Sequence, residues 1–388
     1  MLVRHYIAKK LAAYYAQPSA AIVGAASRRI DFRSLWGEWH WQRVYQTLYR
    51  QTAGQWLTPV ELFQPYFSNT IAHFIAYHAG TSSKLQIVEL GGGRGTNANG
   101  VLLALQRQAP DVYDRLTHYT LVDSSPTLLE LQQETVAKEH HDKMNFRQLD
   151  LLQVAEQPIE QSSSLIPDAP ADTTTFVLAL EVLDNLPHDK IRFRPGAQSV
   201  EQAEVHHTAD GTRHEVFVPL TDPLLQQMVS QFLGHHRRPV TWFPTVALRL
   251  LQQILEHPSA TQLLFMDFDH LPEPNQLYSH HRHSTWAPGE PLVTDMNDCD
   301  HLCYLTPNAD QHCDILFPTD FLQLHRAAQT FHKGVVTTTK QSQFLQAYGP
   351  EQVEATQSWL TGYTPLLHDF VNCSALTVTH SPSLLSSR

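Results

Sequence analysis

The chain has 388 residues, 42% of them apolar, and a formal net charge of −11. This length suits one large α/β domain with an insertion, and the apolar content is ample for a core. The acidic balance disfavours a nucleic-acid partner, because binding to phosphates needs a basic surface. No apolar run approaches the roughly 18 residues of a membrane span, and four cysteines do not indicate a disulfide scaffold. Since no secretory signal is recognisable, we expect a soluble intracellular protein.

Apolar residues recur at helical spacing at the start of the chain, at Val3, Ile7, Leu11 and Tyr14. The first 30 residues also carry several arginines and lysines but no acidic side chain. Such a segment fits a mitochondrial transit helix. It fits a folded amphipathic helix, whose apolar stripe packs on the domain, equally well. The sequence leaves both interpretations open.

Strands alternate with helices after a mainly helical segment at 31–80. The predicted strands are 85–90, 118–123, 144–149 and 175–180, with helices at 97–108 and 126–139. This alternation implies βαβ units with right-handed crossovers and a parallel sheet. The predicted fold class is therefore α/β, with a Rossmann-like, doubly wound, mostly parallel sheet, N-terminal helices and an inserted helical or hairpin region.

The alternation breaks after residue 187. We predict a β-hairpin region at 191–218, helices over 222–257, a core strand at 262–267, a short strand at 303–306, helices at 320–332 and 341–360, and a closing strand at 374–379. The expected organisation is an N-terminal helical segment at 1–80, a cofactor-binding half at 81–190, an insertion at 191–260 and a C-terminal half at 261–388.

A glycine-rich turn follows the first predicted strand, with glycines at Gly91, Gly93 and Gly95. Such a turn lets a ligand approach the backbone where a Cβ would collide. Thr96 and Asn97 are candidate caps for the helix that follows. Asp123 closes the second strand, where a carboxylate can accept both hydroxyls of a ribose. The pattern indicates a cofactor that contains adenosine.

The spacing of the glycines distinguishes between cofactors. A dinucleotide fingerprint needs a third glycine where this chain has Thr96, which speaks against an oxidoreductase. An acidic residue before the turn, Glu89, suits S-adenosylmethionine instead, and Asp150 at the end of the third strand can accept from the adenine amino group. The alternative is that Asp123 and Asp150 only cap helices.

Several motifs resemble those of the MidA-like S-adenosylmethionine-dependent methyltransferases over roughly residues 30–372. The similar segments are Thr58-Pro59 with Glu61, Glu89–Thr96, Val122–Pro126, Glu181–Pro187, Leu264–Phe268 and Asp314–Phe321. The chain departs from the family pattern at Gly92, Leu180 and Asp269, and in the spacing over 187–262. These departures leave the cofactor-binding residues in place and bear on the identity of the substrate.

The resemblance implies a protein arginine methyltransferase with the class I methyltransferase fold. It implies a subunit of mitochondrial complex I as substrate during assembly, and the mitochondrial matrix as location, with the cytoplasm as the alternative. A guanidinium is protonated at neutral pH, and paired carboxylates can bind its donors in bidentate fashion. We therefore assign Glu181 and Asp184 to substrate orientation or proton acceptance, or Glu181 to the cofactor with Asp184 beginning a helix.

Three further residues are candidates for the site. Asp267 and Glu61 are expected in the substrate pocket, although Glu61 also fits a surface helix position. Arg94 is expected to bind the carboxylate of the cofactor, or else to pair with a neighbouring acid. No metal is predicted, because Cys299, Cys303 and Cys313 lack the paired spacing of zinc sites.

Other functions remain open at this point. The methyl acceptor could be another protein or a small molecule, or the chain could be a non-catalytic assembly factor that retains the fold. The sequence does not define the oligomeric state.

Overall fold

The computed structural model describes residues 1–17, 24, 29–51, 57–158, 165–194, 199–233, 239–257, 259–271, 289–295, 299–301, 303–305, 312–332 and 334–380. Its centre is a seven-stranded sheet with the order β13-β14-β9-β4-β1-β2-β3. The strands are β1 (Lys84–Leu90), β2 (Leu116–Asp123), β3 (Met144–Gln148), β4 (Thr173–Leu180), β9 (Ala260–Phe268), β13 (Val335–Lys340) and β14 (Cys373–Thr379). The first five pair in parallel, and β14 runs antiparallel to both of its neighbours.

This sheet confirms the predicted fold class. The strand order reverses between β1 and β4, which is the position where α/β sheets of this kind bind ligands at the carboxyl ends of their strands. The antiparallel β14 and the strand β13 beside it complete one edge. The sequence predicts β14, but it does not predict β13.

Both faces of the central strands are buried, because helices cover each side. In β1, Leu85 and Ile87 belong to one hydrophobic cluster, whereas Val88 and Leu90 belong to the other. Alternate residues of a strand point to opposite faces, so one strand contributes to two cores. A strand buried on both sides reads as a continuous apolar run, which is why the sequence predicts it well.

The helices cover the two faces of the sheet and one end of the molecule. They are α1 (Val3–Tyr15), α2 (Glu38–Gln51), α3 (Pro59–Leu62), α4 (Tyr66–His78), α5 (Thr96–Gln108), α6 (Pro110–Arg115), α7 (Pro126–Thr135), α8 (Leu151–Glu156), α9 (Pro223–Phe232), α10 (Thr245–Leu255), α11 (Phe321–Phe331), α12 (Gln341–Tyr348), α13 (Pro350–Ala355) and α14 (Pro365–His368). Short 3₁₀ helices lie at Phe32–Ser34 and Lys138–Lys143. No described helix has both the length and the apolar character needed to cross a membrane.

Two small sheets lie beside the main one. The first is antiparallel, with the order β7-β6-β5-β8, and the second has the order β11-β10-β12. Their strands are β5 (Asp189–Arg194), β6 (Ser199–His207), β7 (Arg213–Pro219), β8 (Val240–Phe243), β10 (Leu292–Asp295), β11 (Asp300–His301) and β12 (Cys313–Leu316). The predicted hairpin is confirmed as β6 and β7. The expected helical region at 222–257 contains α9 and α10, with the strand β8 between them.

The predicted strand at 303–306 is wrong in the residues that are described. Residues 303–305 form a bend and a turn, and Thr306 lies outside the described residues. The side chain of Tyr304 instead packs edge-on against Trp242 and donates a hydrogen bond to Glu215 at 2.6 Å. This short apolar segment therefore contributes to the core from a turn. The periodicity of so short a segment does not distinguish a turn from a strand.

Helix α1 belongs to the core of the small sheets. Val3, Tyr6, Ile7 and Leu11 are buried in one cluster with residues of both sheets. The apolar stripe of the first helix is thus covered, as the interpretation of a folded amphipathic helix expects. The expected division of the chain at residues 80, 190 and 260 stays a prediction.

Candidate active site

A cleft opens at the carboxyl ends of the central strands. It is lined by the glycine turn after β1, by the segments that follow β2, β3 and β4, and by one face of α1. Among the predicted site residues, the lining includes Gly91, Gly93, Asp123, Asp150 and Glu181. The sequence thus identifies groups that the fold brings together at the point where the strand order reverses.

The glycine turn has the backbone that its residues require. Gly91, Gly93 and Gly95 have φ values of 63°, 53° and 83°, a region that other residues rarely adopt. A Cβ on Gly91 would lie 2.5 Å from Cγ2 of Val182, so this position must be glycine for packing. A Cβ on Gly93 would meet no protein atom within 4 Å, which leaves its open side for a ligand.

The predicted caps of the helix after the turn are wrong. Gly95 itself is the N-cap residue of α5, and the helix begins at Thr96. The side chain of Asn97 is turned inward, where its amide donates to Oε1 of Glu89 at 3.1 Å and its oxygen accepts from Ser68 at 3.0 Å. Because glycine has no side chain, the first turn of α5 has no side-chain cap hydrogen bond.

Glu89 lies beneath the turn rather than in the lining of the cleft. Besides the contact from Asn97, it accepts a hydrogen bond from the hydroxyl of Tyr119 at 2.6 Å. Burial raises the pKa of Glu89 to about 7, although these two hydrogen bonds oppose the shift. Both oxygens are therefore engaged by the protein, and a direct contact of Glu89 with a cofactor stays a prediction.

Asp123 and Asp150 occupy the ends of β2 and β3. Oδ1 of Asp123 accepts from the backbone of Ser125 at 2.9 Å, and Oδ2 accepts from Gln132 at 3.3 Å. Burial raises the pKa of Asp123 to about 6. Asp150 is the N-cap of α8 and accepts from the backbone of Leu152 at 2.9 Å. Asp150 therefore does cap a helix, but its side chain also lines the cleft.

Glu181 has a strained backbone at the end of β4. Its φ of 55° is in the left-handed region, the one described residue other than glycine with a positive φ. Such a conformation costs about 1–3 kcal/mol and is typical of functional positions. Burial raises the pKa of Glu181 well above its usual range, and the nearby Asp267 and Glu61 raise it further. This half-buried residue with a strained backbone forms part of the wall of the cleft.

Asp184 and Asp267 lie together beside Glu181. Oδ2 of Asp267 accepts from the backbone of Leu183 at 2.7 Å and of Asp184 at 3.1 Å, so it holds the turn after β4. Burial raises the pKa of Asp267 to about 7. Burial and the proximity of Asp267 raise the pKa of Asp184 as well. Within the described chain, Oδ1 of Asp184 is buried without a hydrogen-bond partner.

Asp314 adds a further carboxyl that the sequence analysis did not assign to the site. It lies in β12, and its Oδ1 accepts from the side chain of Asn185 at 2.7 Å and from the backbone of Ile315 at 2.9 Å. Burial raises its pKa to about 7, and its charge contributes to the raised pKa of Asp184. Its position in the motif Asp314–Phe321 was the only available signal.

Glu61 is influenced by the charge of Arg94. Burial raises the pKa of Glu61, while a hydrogen bond from Thr96 and the charge of Arg94 oppose the shift. Arg94 is therefore close to an acidic side chain, as the alternative interpretation expects. The charge of Glu61 also raises the pKa of Glu181, and its side chain is buried rather than on the surface.

Comparison with known proteins identifies the family. The family model Methyltransf_28, which describes S-adenosyl-L-methionine-dependent methyltransferases, matches residues 69–338. The chain belongs to this family. S-adenosyl-L-methionine is therefore its cofactor, and the matched residues include the glycine turn and the ends of β2, β3, β4 and β9.

Two solved structures resemble the methyltransferase in fold. One is a superfamily member from Burkholderia thailandensis, described as a methyl transferase and bound to S-adenosyl-homocysteine; it has 17% identity and a TM-score of 0.64, and the similarity covers 100% of this chain and 90% of that one. The other, an uncharacterised protein from the same organism, has 17% identity and a TM-score of 0.62, with coverage of 100% and 89%. A comparison with curated proteins found no match.

The cleft of the methyltransferase fits the cofactor. The open side of Gly93 leaves room against the backbone. Asp123 would hold the ribose hydroxyls, and Asp150 would accept from the adenine amino group. S-adenosyl-L-methionine supplies a methyl group on a positively charged sulfur. The task of the surrounding residues is then to hold an acceptor atom in line with that methyl group and to take up a proton.

The sequence analysis also missed the contribution of helix α1 and of Asn185 to the cleft. Ala8, Leu11, Ala12 and Tyr15 line it from one side, and Asn185 lines it from the turn after β4. Tyr15 donates a hydrogen bond to Asn185 at 2.7 Å. The sequence shows that Ala8, Leu11, Ala12 and Tyr15 share one face of a helix. It does not show that this face lies against the cleft.

Proposed function

We propose that the chain is a protein arginine N-methyltransferase of the MidA-like kind, which acts on a subunit of mitochondrial complex I during assembly. The observation that carries the arginine part is the cluster of buried carboxyl groups beside the cofactor cleft. It comprises the buried Asp184, Asp267 and Asp314 together with the half-buried Glu181. Its members come from β4, β9 and β12 or from the turns that follow them.

The cluster favours a positively charged acceptor. Buried carboxyl groups that lie close together raise one another's pKa, because burial and like charge both disfavour ionisation. A guanidinium that enters the cluster would supply the missing positive charge, and its planar donors suit bidentate contacts with carboxylates. The unpartnered Oδ1 of Asp184 is a ready acceptor for such a donor. With an uncharged acceptor, these carboxyl groups would instead stay protonated.

The same groups can manage the proton that the reaction releases. Methylation of a guanidinium nitrogen forms a bond between nitrogen and carbon, breaks the bond between carbon and sulfur, and leaves one proton to be removed. A carboxyl with a pKa near neutrality is an effective proton acceptor at physiological pH. Burial brings Asp267 and Asp314 to a pKa of about 7. We assign Glu181 and Asp184 to the contact with the acceptor because they belong to the segment after β4, which lines the cleft through Glu181, Val182 and Asn185.

The complex I subunit and the mitochondrial matrix enter the proposal through the sequence resemblance alone. The motifs Glu89–Thr96 and Glu181–Pro187 carry the specific part of the resemblance to the MidA-like family. Both lie in the cofactor cleft or next to it. These motifs support methyl transfer more directly than they support a complex I subunit as the substrate.

Mass spectrometry after incubation with methyl-labelled S-adenosylmethionine tests the proposal. The protein would be incubated with mitochondrial extract, and we expect label on arginine of a complex I subunit. Asp184→Asn should lower labelling at least about 100-fold, whereas its affinity for S-adenosylhomocysteine should change less than about 3-fold. Asp142→Asn, at an exposed position of a short helix, is the matched control and should label as the wild type does.

Each other outcome has a defined meaning. Label on a different residue type or on a small molecule contradicts the arginine assignment. Full labelling by Asp184→Asn removes the proposed role of that carboxyl. No labelling by a protein that binds the cofactor would support a non-catalytic assembly factor.

A further inference from the structure

Helix α1 presents one face to the cofactor cleft. The residues that line the cleft are Ala8, Leu11, Ala12 and Tyr15. Residues at positions i, i+3, i+4 and i+7 share one side of a helix, so the contact is continuous over two turns. The match to the methyltransferase family begins at residue 69, so α1 lies before the part of the chain that it covers.

The start of α1 is fixed by a buried ion cluster. The guanidinium of Arg4 is 2% exposed and lies 3.0 Å from Asp189, 2.9 Å from Asp222 and 3.0 Å from Glu156. These carboxylates come from three separate elements at or near the small sheet and α8. Removal of a partner from a buried ion pair is strongly unfavourable, so the helix is held firmly in this position.

The end of α1 is tied to the acceptor side of the cleft. The hydroxyl of Tyr15 donates to Oδ1 of Asn185 at 2.7 Å, and the amide of Asn185 donates to Asp314 at 2.7 Å. The backbone oxygen of Tyr15 also accepts from Ser125 at 3.4 Å, next to the end of β2. The helix is therefore connected at once to the ribose side and to the carboxyl cluster.

The geometry points to α1 as the outer wall of the S-adenosylmethionine site, with Ala8 and Ala12 leaving the space that the adenosine part fills. A larger side chain at either position would project into the cleft, because both residues line it. Neighbouring Ala13 is also exposed but does not line the cleft. The adjacent Ala12 and Ala13 thus differ in whether they line the cleft.

Calorimetric titration with S-adenosylhomocysteine tests the inference. Ala12→Leu should bind at least about 10-fold more weakly than the wild type, since the added side chain occupies the cleft. Ala13→Leu adds the same atoms to the same helix and should bind within about 2-fold of the wild type. Equal affinity of Ala12→Leu and Ala13→Leu would overturn the inference.

A measurement on the unmodified protein gives an independent check. Hydrogen exchange of a peptide that spans residues 5–15 should slow at least about 3-fold when S-adenosylhomocysteine binds. Unchanged exchange in the bound protein would overturn the inference even if a variant failed to fold. Neither measurement involves a methyl acceptor. The inference about α1 can therefore fail while the arginine proposal stands, and the arginine proposal can fail while the inference stands.

Discussion

Gly93 and Gly211 share a backbone conformation but not a function. Their φ values are 53° and 84°, and at both positions an added Cβ would meet no protein atom within 4 Å. Gly93 lines the cofactor cleft, whereas Gly211 lies in the exposed turn between β6 and β7. Comparing the two glycines therefore distinguishes two effects of an added side chain. One is the backbone strain, which both positions share, and the other is the loss of space for a ligand, which concerns Gly93 alone.

We expect Gly93→Ala and Gly211→Ala to lower the free energy of unfolding by similar amounts, about 1–2 kcal/mol each, because a Cβ is unfavourable in this conformation. Only Gly93→Ala should also weaken binding of S-adenosylhomocysteine, by at least about 10-fold. Urea unfolding and calorimetry would measure the two effects. Unchanged affinity in Gly93→Ala would show that no ligand approaches this backbone.

At the residue scale, the sequence identifies the groups that follow strands better than those that pack beneath them. Asp123 and Glu181 end buried strands, and both line the cleft as expected. Glu89 carries the same motif signal, yet its oxygens are engaged by Asn97 and Tyr119. A one-dimensional pattern gives the position of a carboxyl along the chain, but the direction of its side chain depends on neighbours from elsewhere.

At the scale of elements, α1 depends on distant parts of the chain. Its buried Arg4 contacts Glu156, Asp189 and Asp222, which lie between 152 and 218 residues away in the sequence. The helical spacing of its apolar residues is visible in the sequence, but these ionic partners are not. The sequence therefore predicts the helix and leaves open what it packs against.

We expect Arg4→Met to lower the free energy of unfolding by about 3–5 kcal/mol, because it leaves buried carboxylates without their cation. Lys9→Met removes a positive charge from an exposed position of the same helix and should change stability by less than about 0.5 kcal/mol. Chemical unfolding of both variants would test this. Similar small effects would mean that Arg4 does not anchor the helix.

Two of the strands that the sequence missed have weak local signals. β8 has four residues between two prolines, and β13 is only partly buried along its length. Their strand conformation depends on pairing with β5 and β14, respectively. Strand preference reflects such packing more than the intrinsic tendency of the residues, so these strands need the assembled sheet.

For the whole molecule, the carboxyl cluster links the site to the stability of the fold. Asp184, Asp267 and Asp314 are far apart in sequence and are brought together by the ends of β4, β9 and β12. Because burial raises their pKa values, the folded protein binds protons more tightly than the unfolded chain does. The contribution of Asp267 and Asp314 to stability is then fully present below about pH 4 and is lost as the pH rises through about 7.

Asp314→Asn should reverse this loss. The variant keeps an oxygen that can accept from Asn185 but cannot ionise, so we expect it to gain on the order of 3 kcal/mol relative to the wild type between pH 4 and pH 8. Chemical unfolding at several pH values would show the difference. Burial lowers the pKa of His188 to about 3 and of His78 to about 4; these groups have the opposite pH dependence, which cancels in the comparison. A difference that does not vary with pH would contradict the expectation.

The most direct measurement is calorimetric titration of S-adenosylhomocysteine into the wild type and into Asp123→Asn. A hydrogen bond to a charged group contributes about 1.5–3 kcal/mol, so loss of the carboxylate that faces the ribose should weaken binding about 10- to 100-fold. Asp111→Asn, at a largely exposed carboxyl, should bind as the wild type does. We predict one cofactor per chain, with affinity lost in Asp123→Asn alone. Equal affinity of Asp123→Asn and the wild type would contradict the assignment of this cleft to S-adenosylmethionine.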